Sequence, residues 1–113
     1  MKPIIIVSPV FTRIVSIFID VTAITLFPFI VSREKMSDIT LNHETIHIKQ
    51  QQELFIIGFY ILYIFDWVKG IIKYKDRLIA YRKIRFEQEA YSQMLNKNYL
   101  KNRSPHSWRK YSV

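Results

Sequence analysis

Residues 43–47 read His-Glu-Thr-Ile-His, and those types at that spacing suit metal binding. On a helix, residues four apart lie on one face about a turn from each other, so His43 and His47 can reach one ion. Glu44 falls ~100° round from His43, beside such an ion rather than on it. There a carboxylate can take a proton from a water that the ion activates. Two imidazoles do not complete a catalytic zinc (Zn2+) site; a third protein ligand is needed, with a fourth position left to water. The chain has no cysteine, which removes a thiolate ligand, a thiol nucleophile and a disulfide framework together. The remaining histidine is His106, and the best-placed carboxylates are Glu87 and Glu89. Two residues apart is about 200° on a helix, so both cannot face one ion. With Ile84 at zero on a helical wheel, Tyr91 and Leu95 fall within about 20° and Glu87 at about −60°. Glu89 falls at about 140°, beside Gln93 and Asn96 on the polar face. A lone carboxylate in the inward stripe is costly unless it is paired or bound to metal, so Glu87 is the predicted third ligand. Its competing use is an ion pair with Lys83, one turn earlier on its own helix. Gln50 and Gln51, one turn beyond the motif, are candidate partners of the ligands, with solvated side chains as the favoured reading.

The elements that must carry these residues follow from the same chain of 113 residues, enough for one domain. The predicted division is a domain over 1–96 and a basic tail over 97–113. Gly58 and Gly70 are the only glycines, so no glycine-rich phosphate loop can form. The first third is rich in β-branched and aromatic residues and reads as extended or short mixed segments: Ile4–Val7, Arg13–Asp20 and Thr22–Val31. The clearest strand is Ile24–Val31, and Pro28 puts it at a sheet edge or gives it a bulge. Asp38 or Thr40 is the predicted cap of a helix running from about Thr40 to Phe65, with Gly58 as its bend. Helical stretches over about Asp66–Lys75 and Asp76–Asn96 follow, and the tail is predicted to be irregular. The class is therefore α+β.

His43–His47, followed about forty positions later by helical Glu87-Gln88-Glu89-Ala90, resembles the gluzincin metallopeptidases and, at this size, the minigluzincins. The stretches His43–Glu53 and Arg85–Tyr91 also resemble small metallopeptidase-like proteins of Bacteroidetes and their phages. The resemblance implies a small zincin-like domain. An N-terminal β-sheet lies over a long helix bearing the motif, and a C-terminal glutamate helix supplies the third ligand. It implies hydrolysis of peptide bonds with Glu44 as general base. It also implies a substrate peptide added to a sheet edge, here Ile24, Thr25, Leu26 and Phe27. In the related integral-membrane zinc proteases an Asp stands four positions after the glutamate ligand; here that position is Tyr91. Tyr81, Tyr91 and His106 are the candidates for orienting a ligand or donating to an oxyanion.

Charge is uneven. The net charge is +8, with −3 over residues 38–66 and +9 over residues 67–113. Lys69, Lys73, Lys75, Arg77, Arg82, Lys83 and Arg85 follow the uncharged run Leu54–Phe65. Twelve residues of helix span only ~18 Å, against ~30 Å of bilayer hydrocarbon, so an interfacial or buried helix is predicted rather than a span. Aromatic residues followed by a basic run suit an anionic membrane surface through Lys69–Arg85. Nucleic acid would need a recognition motif that the chain lacks. No signal-peptide pattern is evident, and the predicted location is cytoplasmic, membrane-surface or virion. The alternative to a peptidase is a non-catalytic subunit of a phage particle or membrane complex that keeps the fold.

Overall fold

The computed structural model describes residues 3–15 and 23–113. They form a small α+β domain in which a three-stranded sheet lies against a helical layer. The strands are β1 (Ile4–Val7), β2 (Ala23–Leu26) and β3 (Phe29–Ser32), in the order β1-β3-β2. β1 runs parallel to β3, and β2 antiparallel to it, with Leu26 opposite Phe29. The single strand expected over Ile24–Val31 is thus a hairpin. Pro28, which has no N–H for a ladder, sits in the turn after a cis Phe27–Pro28 peptide. Helix α1 (Pro9–Val15) occupies the start of a stretch read as extended, and residues 16–22 lie outside the described chain.

Helix α2 (Asp38–Glu53) carries the motif. Ser37, rather than Asp38 or Thr40, is its N-cap: the side chain accepts from the Thr40 N–H at 3.2 Å. Helix α3 (Ile57–Tyr74) is a separate element, turned 113° from α2. The break lies before Gly58, at Phe55 and Ile56, which both take positive φ. Ile56 (φ 65°, ψ −60°) is the centre of a γ-turn in which the Ile57 N–H donates to the Phe55 carbonyl at 2.6 Å. What was expected as a second helix after Asp66 is the rest of α3.

The stretch from Asp76 divides into α4 (Arg77–Lys83) and α5 (Arg85–Gln93). Ile84, extended between them, is fully buried beside Phe59, Phe86 and Trp108. Asp66 of α3 fixes the restart. It accepts from the Arg85 backbone N–H at 3.1 Å and from the Arg85 guanidinium at 2.9 Å through each oxygen. One buried carboxylate therefore caps α5 and sets its rotation. The tail is ordered, not irregular: α6 (Tyr99–Asn102) and a 3-10 turn (Ser107–Lys110) bring Trp108 into the aromatic core.

Candidate metal centre

Two helices supply the site. α2 presents His43 and His47 one turn apart, and α5, held by Asp66, presents Glu87 opposite them. Glu87 Oε1 lies 3.1 Å from the Nε2 atoms of both His43 and His47, and the two Nε2 atoms are 3.2 Å apart. All three side chains are buried, and among the described residues they form a group able to hold a metal ion. Donors at ~2.0–2.1 Å from a tetrahedral ion stand roughly 3.3 Å from one another, close to this triangle. Three lone-pair-bearing atoms converging in this way repel one another unless a positive centre, a proton or a metal ion, lies among them.

Electrostatics agree with that demand. Burial works against the charged form of His47, but the charge and hydrogen bond of Glu87 outweigh it and push the imidazole up to about 9. Burial likewise opposes ionisation of Glu87, but the two imidazoles hold its carboxyl well below the usual range. Glu87 makes no partner of Lys83; its second oxygen accepts from the Tyr63 hydroxyl at 2.6 Å.

The ligands are fixed from behind. His47 Nδ1 donates to Gln50 Oε1 at 2.6 Å. The Gln50 amide in turn donates to the Phe86 carbonyl at 3.1 Å and to Glu89 Oε1 at 3.0 Å. This network places a proton on Nδ1 and turns Nε2 toward His43 and Glu87, the orientation a metal ligand would need. Gln50 and Gln51, expected to be solvated, are fully buried. So is Glu89, expected on the polar face: it is held by the Tyr99 hydroxyl at 2.6 Å and the Arg103 guanidinium at 2.5 Å. Leu95, expected inward, lies beyond the end of α5 and is exposed.

Glu44 stands beside the triangle and outside the ligand group. Its Oε2 accepts from the Thr25 hydroxyl of β2 at 2.7 Å. Burial raises its pKa, against the lowering effect of His47 and His43. Tyr91 packs edge-on against His43, with ring centroids 4.4 Å apart, and its hydroxyl lies 3.0 Å from that of Tyr81. His43, Glu44, Tyr81 and Tyr91 line one cleft of about 580 Å³, with Ala23 and Arg82 on its wall. His106 does not join them. It is exposed, at the far end of α2, where its backbone N–H donates to Glu53 at 2.6 Å.

Among the described residues β2 is an edge strand, as the substrate-strand expectation requires. Part of that edge is already taken. The Gln51 amide donates to the Thr25 carbonyl at 3.0 Å and accepts from the Phe27 N–H at 2.8 Å. The Tyr60 hydroxyl donates to the same carbonyl at 2.7 Å. Gln51 thus occupies the place of a neighbouring strand at Thr25–Phe27, and only the Ala23 end of β2 reaches the cleft.

Sequence reasoning missed the supporting residues Tyr63 and Arg103, named Thr25 only for a substrate strand, and favoured solvation for Gln50. Gln50 carried a usable signal, since it stands three residues after His47 on the same helical face. The others meet the site only through tertiary contacts. No family model, curated protein or solved structure matches the chain.

Proposed function

We propose that this chain is a minimal zinc-dependent metallopeptidase of the gluzincin kind, with His43, His47 and Glu87 as ligands. The observation that carries the reading is the buried triangle of two imidazoles and one carboxylate, with Glu44 beside it and an open cleft in front. Two nitrogens and one carboxylate oxygen, with room for a fourth ligand, suit catalytic zinc. A zinc ion bound there supplies Lewis-acid activation of a water and of the scissile carbonyl. Glu44 takes the proton from the attacking water and returns it to the leaving amine. Its buried setting raises its basicity, and Thr25 holds one carboxylate oxygen so that the other can face the water. Burial keeps the Tyr81 and Tyr91 phenols protonated, so either retains a proton to donate to the developing oxyanion. The substrate is a peptide laid along the cleft past Ala23.

Metal analysis of the purified protein tests the reading. One zinc per chain is expected, lost in His47→Ala and kept in Glu44→Gln, which should lower peptide hydrolysis by about 10²-fold or more. Wild-type protein that stays metal-free with added zinc would end the proposal. Zinc bound without cleavage across a broad peptide library would favour the non-catalytic subunit.

A further inference from the structure

Helix α3 has two faces with different obligations. Phe59, Asp66 and Gly70 are buried, and Tyr63 reaches Glu87, so this face is committed to the core and the metal centre. On the other side Ile57, Ile61, Ile64, Phe65, Val68 and Ile72 are all exposed, from 46% at Val68 to 73% at Ile72. Taking ~100° per residue, these six fall within one stripe about 100° wide that runs the length of the helix. Phe55, at the turn before the helix, is 88% exposed, and Leu78 beyond its end is 72% exposed. An apolar surface this continuous is unusual for a protein facing water alone.

The charges beside the stripe indicate its occupant. With Ile57 at zero the stripe runs from about −20° to 80° and Lys69 follows at about 120°, along one border. Lys73, at about 160°, lies further round and donates to the main-chain oxygen of Val113 at 3.3 Å. Lys75 and Arg77 follow at the helix end, and all four are exposed. A shallow groove of about 270 Å³ on the stripe is lined by Phe65, Val68 and Ile72, with Lys69 on its rim. Aliphatic floor and ammonium rim match an acyl chain below and a phosphate above. A second copy of this chain fits less well, because pairing the stripe with itself brings the lysine borders of two +8 molecules together. Among the described residues no single helix is long and apolar enough to cross a membrane.

We infer that α3 lies in the plane of an anionic lipid surface, its isoleucine–phenylalanine stripe sunk among the acyl chains and its lysine border at the phosphates. The aromatic residues that read as anchors in the sequence divide in the structure. Phe59 is buried, Tyr60 and Tyr63 bond inward, and Phe65 faces the lipid. Four of the seven cations have partners within the chain: Arg85 with Asp66, Arg82 over the Tyr91 ring, Lys83 near the face of the Tyr74 ring, and Lys73 with the main-chain oxygen of Val113.

Sedimentation of the full chain with vesicles tests this, with no activity readout. Binding is expected to vesicles of phosphatidylcholine containing phosphatidylserine, not to phosphatidylcholine alone, and to weaken with salt. Phe65→Glu and Ile61→Glu change exposed side chains and should abolish it at unchanged zinc content and circular dichroism. Replacing Lys69 or Lys75 with Gln should weaken it about fivefold per cation. Folded protein that stays in the supernatant with anionic vesicles at low salt overturns the inference. So does binding that survives Phe65→Glu, or a solution dimer that Ile61→Glu dissociates.

Discussion

At the scale of single residues, the site depends on which atoms already have partners. Gln50 accepts a hydrogen bond from the Nδ1–H of His47, and Tyr63 donates one to the outer oxygen of Glu87, so the inner atoms converge. On the proposed zinc assignment, Glu87→Gln removes the anionic ligand and should weaken zinc binding strongly. Gln50→Ala keeps every ligand but frees the His47 ring, so a loss of ~10–100-fold in zinc affinity is expected. Titration with a competing chelator measures both. Glu89→Gln should act differently: its carboxylate faces Arg103 and Tyr99, so its main effect belongs in the unfolding free energy. A larger affinity loss at Glu89 than at Glu87 would contradict the ligand assignment. The periodicity that put Glu87 inward was legible in the sequence. The burial of Glu89 was not, because a wheel knows only one partner layer and the tail forms a second.

Between elements, the decisive features are the breaks. The γ-turn at Ile56 sends α3 away from α2, and the extended Ile84 separates α4 from α5. Composition marked neither, since Phe55, Ile56 and Ile84 carry no turn chemistry and their conformations are imposed by packing. Gly70 is different: α4 crosses α3 there, and a Cβ on it would stand 2.9 Å from the Cβ of Ala80 and 3.0 Å from its Cα. The close contact with backbone leaves little room to yield. Gly70→Ala should therefore cost about 1–3 kcal/mol in urea unfolding. Zinc stoichiometry at low temperature should not change. A stabilised variant would show that the two helices can separate without loss.

Across the whole molecule, the tail closes the structure. Arg103 bonds Glu89 of α5 and reaches Glu53 at the end of α2 through two contacts of 2.9 Å. Its side chain is only 4% exposed. Trp108 completes the aromatic cluster with Phe86 and Phe59. Breaking a buried pair by removing one partner leaves the other charge uncompensated. Arg103→Ala should thus destabilise the fold by about 3–5 kcal/mol. It should also lower zinc affinity through Glu89 and Gln50, readable by denaturation with and without zinc. Unfolding unchanged by this substitution would mean that the tail is a surface strap.

The sequence by itself determined the α+β class, the two histidines and Glu87 that cluster, and the position of Glu44 beside them. Each follows from a local period: four residues on a helix make one face, and a carboxylate in an apolar stripe needs a partner. Only the tertiary structure decided where the helices break and how Asp66 rotates α5 toward α2. It also decided that Gln51 fills part of the β2 edge, that His106 stands apart from the cleft, and that one side of α3 is left bare. Those are relations between segments distant along the chain, set by packing and by the need of each buried charge for a partner, and no local pattern encodes them.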